Sequence, residues 1–140
     1  MRVALDLDAL GDTRPLWRDW LEDAARLIDV AGLPDDRAAA AVELDARGAG
    51  NWRTLLERFA EDRAPVYLRP ASEVSAVLRA LQAGGSQIVV FTDAPVELAR
   101  VALRQLGATR RIEGLEPAAP PDADVVVTTR EELLRLHRSA

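Results

Sequence analysis

The sequence contains no cysteine and no lysine, and these two absences exclude several kinds of chemistry. Without cysteine, the chain has no disulfide, no thiolate nucleophile and no zinc site built on thiolates. All 18 basic residues are arginine, so a mechanism that needs the compact ammonium group of lysine is excluded. The single histidine, His137, lies near the C-terminus. We expect it to be a solvated helix residue rather than part of a triad or a histidine-rich metal site.

The sequence also lacks an excess of basic charge and a long apolar run. Its formal net charge is −5, which disfavours a nucleic-acid partner. No stretch is apolar enough to span a membrane, and the N-terminus does not resemble a targeting signal. We therefore expect a cytoplasmic protein with no membrane partner.

The sequence is also poor in aromatic residues, which are only 4% of its 140 residues. At this length we expect a single compact domain, with an interior of small aliphatic side chains.

The most informative feature that is present is a pair of carboxylates at the start of the chain. A short apolar run from residue 2 ends in Asp6 and Asp8, with one residue between them. In a strand, residues two apart point to the same side. Two anions at the end of a buried strand are costly unless a metal, a proton or a ligand offsets them. The pair is therefore the main candidate for a functional site.

The hydrophobic pattern predicts four strands that alternate with helices. An apolar run bounded by turn residues predicts each strand, and apolar spacing of three to four residues predicts each helix. Alternation of this kind indicates an α/β fold, a three-layer Rossmann-like parallel sheet with helices on both faces. The predicted strands are 2–6, 87–92, 111–116 and 124–128, and the predicted helices are 16–31, 34–48, a third from 51, 71–83, 95–107 and a last one from 129.

A block of helices interrupts this alternation directly after the first strand. We predict a core formed by residues 1–12 and 70–140 and an inserted helical cap at 13–69. The three tryptophans of the chain lie in this block, and we interpret them as its own small core, with the lining of a substrate pocket as the alternative. The run 35–37 is interpreted as a solvated helix start.

Ligands of such sheets bind outside the carboxyl ends of the strands. Besides Asp6 and Asp8, the residues at these ends are Thr92 and Asp93 after the second strand and 128–132 after the last. Two carboxylates facing a hydroxyl suit phosphoryl transfer. Strand-end threonines also commonly cap the following helix, and we interpret Asp93, close to Pro95, as a helix-start residue.

These residues resemble two motifs of the haloacid dehalogenase-like superfamily, in its phosphoglycolate-phosphatase-like branch with a short helical cap. Leu5-Asp6-Leu7-Asp8 is similar to the first motif, and Ile88-Val89-Val90-Phe91-Thr92-Asp93 is similar to the second. The resemblance extends from residue 1 to about residue 116. It implies that Asp6 is the nucleophile, Asp8 the general acid/base and Thr92 a ligand of the phosphoryl oxygens. It also implies Mg²⁺, bound by Asp6 and the backbone carbonyl of Asp8, and a small phosphorylated metabolite as substrate.

The chain departs from the family at its third and fourth motifs. The third motif is a lysine, which this sequence cannot supply, and the acidic pair of the fourth is missing after the last strand. Arg130 follows that strand at the correct edge and is the candidate for binding phosphate near Asp6. Glu131 is a weak candidate metal ligand. Thr129 and Glu132 have the spacing of a capping box, which favours a structural role for Glu132.

Two function hypotheses remain. The first is a degenerate or weakly active phosphohydrolase that depends on Mg²⁺, and the retained Asp6, Asp8 and Thr92 favour it. The second is a non-catalytic descendant that uses the fold for ligand binding, protein interaction or regulation, and the missing motifs favour it. A receiver-type signalling domain is a third interpretation. It fits less well, because its phosphoacceptor would lie on a middle strand of the chain and it too would require a lysine at a strand end.

Overall fold

The centre of the fold is a pair of parallel strands, β1 (Arg2–Asp6) and β2 (Gln87–Phe91). In the computed structural model, which describes residues 1–139 and the side chains of residues 1–136, they pair along their full length. Two short strands extend the sheet, β3 (Gly114–Glu116) beside β2 and β4 (Val125–Val127) beside β1. All the pairings are parallel, and the strand order is β3-β2-β1-β4.

Helices cover both faces of this sheet. The three central residues of β1 are fully buried. Successive residues of a strand point to opposite faces, so burial of all three requires packing on both sides. The predicted α/β fold with a four-stranded Rossmann-like parallel sheet is confirmed. The described residues contain seven α-helices: α1 (Leu7–Leu10), α2 (Arg14–Ala24), α3 (Arg37–Ala46), α4 (Trp52–Tyr67), α5 (Ser72–Ala83), α6 (Val96–Gln105) and α7 (Arg130–Ser139).

Several elements differ from the sequence-based expectation. A short helix, α1, follows β1 directly, where no helix was expected. Helix α2 ends at Ala24 rather than near residue 31, because the chain turns back onto the Ala24 carbonyl and leaves Leu27 74% exposed. Helix α3 begins at Arg37 rather than residue 34, because Asp36 is its N-cap. Strand β3 begins at Gly114 rather than residue 111, because Thr109–Arg111 forms a 3₁₀ turn.

The inserted helices α2, α3 and α4 share one hydrophobic core with the sheet. Helix α4 packs against both α2 and α6, and α3 adds Ala40, Ala41 and Leu44 to the same core. Trp20 lies between Trp17 and Trp52, with ring centroids 5.2 and 5.9 Å away, and all three side chains are buried. The tryptophans therefore form a buried apolar cluster, but it belongs to the core shared with the sheet rather than to a separate core of the inserted helices. The boundary between core and cap remains a prediction, because the buried cluster is continuous across it.

Helix α7 begins with one half of the capping box that the sequence predicts, because Glu132 Oε1 accepts from threonine hydroxyls rather than from the Thr129 amide. The Glu132 amide donates to Thr129 Oγ1 at 3.2 Å, and that hydroxyl is 3.3 Å from Glu132 Oε1. The helix packs against α5 and also contacts α1. The side chain of His137 lies outside the described part of the chain, so the expectation for it is not tested. None of the helices within residues 1–139 is long and apolar enough to cross a membrane.

Candidate functional site

The register of the two central strands brings the sequence-predicted residues to one edge of the sheet. Asp6, the last residue of β1, is paired with Phe91, the last residue of β2. Thr92 and Asp93 follow immediately, so they leave the sheet at the same edge as Asp6. This arrangement agrees with the general rule that the carboxyl ends of parallel strands share one edge, where ligands of such sheets bind.

Asp6 serves as the N-cap of helix α1. Its Oδ1 accepts a hydrogen bond from the Asp8 amide at 2.9 Å. The carboxyl group is partly buried, and this burial raises the pKa of Asp6 above its ordinary value of 3.8. The negative charges of Asp8 and Asp93 act in the same direction, while the Asp8 amide and the positive charge of Arg37 lower the pKa. Asp6 is therefore a partly desolvated carboxyl group within the field of two further acids.

Asp8 is held by donors on both of its carboxylate oxygens. Its Oδ1 accepts from the Thr13 amide at 2.9 Å and from the Thr13 hydroxyl at 2.7 Å. Its Oδ2 lies 3.1 Å from Arg37 Nη2 and 4.0 Å from Arg14 Nε. The side chain of Asp8 is 17% exposed, whereas that of Thr13 is fully buried. The start of α2 thus fixes one oxygen of Asp8, and α3 engages the other.

Arg37 is a member of this site that the sequence analysis missed. It was interpreted as part of a solvated helix start, and that interpretation is wrong, because the residue is only 4% exposed. Its Nε donates to Asp93 Oδ1 at 2.9 Å, its amide donates to Asp93 Oδ2 at 2.9 Å, and its Nη1 donates to Thr13 Oγ1 at 2.6 Å. The guanidinium therefore links Asp8 and Asp93 directly. Because α3 starts far from β1 in the sequence, spacing alone could not reveal it.

Asp93 accepts hydrogen bonds from Arg37 and also lies close to the start of α6. Burial raises its pKa, but the hydrogen bonds and the positive charge of Arg37 outweigh this effect, so the pKa of Asp93 lies below its ordinary value of 3.8. The two acids at the strand ends therefore differ, since the pKa of Asp6 is raised and that of Asp93 is lowered. The difference reflects direct contact of Asp93 with Arg37.

Thr92 is buried, and its hydroxyl accepts a hydrogen bond from the Ala94 amide at 3.1 Å. This contact is a local turn between residues two apart and does not cap α6, whose N-cap is Pro95 and has no side-chain hydrogen bond. A cleft of about 560 Å³ is lined by Asp8 and Asp93, and Asp6 is not one of its lining residues. Arg14, Trp17 and Arg37 form other parts of its wall. Thr92 lines a separate cavity of about 300 Å³ together with Asp93.

The two candidates after the last strand lie on a different part of this edge. Arg130 Nη2 donates to the Leu10 carbonyl at 2.7 Å, which satisfies a free carbonyl at the end of α1. It also lines a third cavity, which Asp8 borders from the other side. Glu131 is 81% exposed, and its carboxylate is 3.9 Å from Arg135 of the same helix. Arg130 is thus connected to the site through α1, and Glu131 points to solvent.

The donor set does not fit a Mg²⁺ ion in this arrangement. Mg²⁺ is usually bound by one or two carboxylates together with waters and substrate phosphate. Of the donors that the sequence predicts, Asp6 Oδ1 accepts from the Asp8 amide and Glu131 is exposed on α7 beside Arg135. The described residues contain no group of three or more acidic or histidine side chains that could hold a metal in their place. The carboxylates of Asp8 and Asp93 face the Arg37 guanidinium instead.

Comparisons with known proteins support the fold. A crystal structure described as that of a "putative beta-phosphoglucomutase from Thermotoga maritima" superimposes with a TM-score of 0.58 and 13% sequence identity, over 99% of this chain and 99% of that chain. No family profile matches the chain, and no curated protein matches it. The structural likeness, at this level of identity, shows the shared α/β fold alone.

Proposed function

We propose that this chain is a haloacid dehalogenase-like phosphohydrolase with a reduced site that acts weakly on a small phosphorylated metabolite. One observation carries the proposal: Asp6 and Thr92 leave neighbouring parallel strands at the same edge, with Asp8 two residues beyond Asp6 and beside an open cleft. The name of the structural neighbour, a phosphoglucomutase, agrees with a phosphorylated ligand.

In this proposal each of the three residues has a separate role. Asp6 attacks phosphorus, and the raised pKa that burial gives its carboxyl group is consistent with a partly desolvated nucleophile. Asp8 gives a proton to the leaving oxygen and then takes one from the attacking water. The Thr92 hydroxyl, whose oxygen already accepts from Ala94, retains a proton to donate to a phosphoryl oxygen. Arg130 is a further proposed phosphate ligand, reached across the cavity that it shares with Asp8.

The reduced activity follows from what engages Asp8. A general acid must reach the leaving oxygen, yet Asp8 Oδ2 is paired with Arg37 and Oδ1 with Thr13. Stabilisation of charge on the transferring phosphoryl group is the main catalytic contribution in such reactions. The chain has no lysine for this task. Mg²⁺ is the cofactor that the family resemblance implies, but the described donor set does not fit it, so no step is assigned to it.

A second function, non-catalytic ligand binding, is favoured by the same ion pairs. Arg37, a residue of the chain itself, is paired with Asp8 and Asp93. These acids therefore have a cationic partner without a substrate or a metal. Such a protein would use the cleft beside Asp8 to bind an anionic ligand through exposed arginines such as Arg14 and Arg18. It would release that ligand unchanged.

Hydrolysis of an aryl phosphate, with and without Mg²⁺, separates the two functions. We expect slow release of the aryl alcohol by the native protein and a loss of about 10³-fold or more in Asp6→Asn, because the substitution removes the nucleophile. Asp12→Asn is the matched control, since this acid lies six residues after Asp6, lines the cleft beside Asp8 and is paired with Arg14. The control should retain the native rate.

One outcome of this assay would contradict the proposed phosphohydrolase activity. If the native protein and Asp6→Asn release product equally slowly from a panel of small phosphate esters, the chain has no phosphohydrolase activity. In that case, stabilisation of the native protein by inorganic phosphate or vanadate, measured as a rise in melting temperature, would support the binding function.

A further inference from the structure

Arg37 lies at the only place in the described structure where a buried cation meets the strand-end acids. It is the first residue of α3, and its guanidinium and amide donate to both oxygens of Asp93. The same guanidinium contacts Asp8 and the Thr13 hydroxyl. These contacts join α3, the start of α2 and the ends of β1 and β2. A solvated helix-start arginine would make none of them.

The other arginine near these acids cannot take over this role. Arg14 is 66% exposed, and its Nε lies 2.8 Å from Asp12 but 4.0 Å from Asp8. An exposed charge at this distance is screened by water and salt. Arg37 is buried and within hydrogen-bond distance, so its attraction to the acids is much less screened. The charge of the acids is therefore balanced mainly by a residue of the inserted helices.

A divalent cation would need the oxygens that Arg37 now contacts. Mg²⁺ and Mn²⁺ bind carboxylate oxygens directly, and Asp8 Oδ2 and Asp93 Oδ1 both lie within 3.1 Å of Arg37 Nη2. A metal and a guanidinium carry charges of the same sign and repel one another at this distance. The two cations cannot occupy the same oxygens together.

We propose that Arg37 is a built-in counter-ion that competes with divalent cations for Asp8 and Asp93, so that the native chain binds such metals poorly. Arg37 thereby balances negative charge of Asp8 and Asp93, as a bound metal ion otherwise would. The inference concerns the same site as the proposed phosphohydrolase but does not rest on it, because metal binding can be measured without turnover. A protein with no activity could still show the competition, and an active one could lack it.

Mn²⁺ binding tests the competition, because this ion reports its own binding by electron paramagnetic resonance. The melting temperature provides a second readout, measured at constant ionic strength. We expect little binding by the native protein at millimolar Mn²⁺ and an affinity at least about tenfold higher in Arg37→Gln, with a matching rise in its melting temperature. Arg47→Gln is the matched control. Arg47 is the residue just after α3, contacts Glu43 and does not touch the strand-end acids.

Two further variants complete the test. Adding Asp8→Asn to Arg37→Gln should remove the gained Mn²⁺ binding, because it deletes one of the contested carboxylates. Arg37→Lys keeps a positive charge and should bind Mn²⁺ as poorly as the native chain, which preserves the test if Arg37→Gln does not fold. Tight Mn²⁺ binding by the native protein or by Arg37→Lys, equal binding by Arg37→Gln and the native chain, or the same gain in Arg47→Gln would overturn the proposal.

Discussion

The inserted helices contribute side chains to two clusters that are stabilised by different interactions. One is the tryptophan cluster of Trp17, Trp20 and Trp52, which is stabilised by apolar contact. The other is the arginine cluster, in which Arg37 joins Asp8 and Asp93. Apolar burial is favourable in almost any arrangement, whereas a buried charge is tolerated only with partners in the right places. The tryptophan cluster therefore stabilises the packing of α2 against α4, and the arginine cluster determines the position of the first residue of α3.

Removing the centre of the tryptophan cluster should have the largest effect. Trp20 contacts both other rings and is nearly fully buried. We expect Trp20→Ala to lower the free energy of unfolding by about 3–5 kcal/mol, through lost transfer energy and an unfilled cavity. Urea denaturation measures this loss. Leu27→Ala is the control, since Leu27 is exposed and its truncation should change stability by less than about 0.5 kcal/mol. Equal effects of the two substitutions would contradict the described packing.

Breaking the arginine cluster should cost less. Arg37→Gln leaves Asp8 and Asp93 facing each other without the guanidinium, but both acids retain some access to water. We expect a loss of about 1–3 kcal/mol, as for other hydrogen bonds to charged groups. Added salt should change this loss little, because buried ion pairs are only weakly screened. Protonation of Asp93 at acidic pH should reduce the loss, because the pKa of Asp93 is lowered by Arg37, and should leave the loss in Trp20→Ala almost unchanged. Urea denaturation at neutral and acidic pH measures both, and a pH-independent loss would indicate that Arg37 acts through packing alone.

A substitution outside both clusters should have a smaller effect and no effect on the site. Thr129→Ala removes the side-chain cap of α7 and should lower the free energy of unfolding by about 1 kcal/mol. We expect unchanged Mn²⁺ binding and unchanged hydrolysis of aryl phosphate. A change in either would mean that α7 affects the acids more directly than its described contacts indicate.

The smallest expected effects concern pH, and they have opposite signs at two neighbouring acids. The raised pKa of Asp6 means that its charge destabilises the fold at neutral pH, and this cost disappears as the pH falls through the raised value toward 3.8. The lowered pKa of Asp93 means that its charge stabilises the fold above 3.8, and this gain is lost below that pH. Asp6→Asn should therefore slightly raise the melting temperature at pH 7, and Asp93→Asn should lower it.

Melting curves of both variants and the native protein between neutral and acidic pH check these signs. Both differences from the native protein should shrink as the acids become protonated. A decrease in melting temperature for Asp6→Asn at pH 7 would show that its ionised form is favoured by the fold. An increase would mean that a residue proposed as nucleophile is kept at a cost in stability, as functional residues often are.

The sheet was predictable from the sequence because its strands are marked by local patterns. The apolar runs that end at Asp6 and Phe91 identify β1 and β2, and the Thr129–Glu132 spacing identifies the start of α7. The short helix α1 was not predictable in this way. It has four residues, too few for a helical pattern, and depends on the cap that Asp6 supplies.

The site was only half predictable, because its cation comes from a distant part of the chain. Arg37 follows an acidic helix-start pair and precedes a run of alanines, which is the pattern of an ordinary solvated helix. Burial makes it different, and burial depends on tertiary packing. Clustered acids in a chain without lysine do call for an arginine, and the sequence favoured Arg130 because it follows the last strand. The structure has Arg37 on the acids instead, and Arg130 donates to the Leu10 carbonyl.

The place of Arg37 at the first residue of α3 has a consequence for rates. Arg37 holds the acids from the end of a ten-residue helix, whereas the sixteen-residue α4 packs against both α2 and α6. We therefore expect the first turn of α3 to open locally more often than the whole protein unfolds, with faster amide hydrogen exchange than in the middle of α4. A ligand that binds the Asp8 and Asp93 oxygens now in contact with Arg37 could bind only after this local opening. Its observed association rate would then level off at high concentration, at a ceiling set by the protein and common to every such ligand.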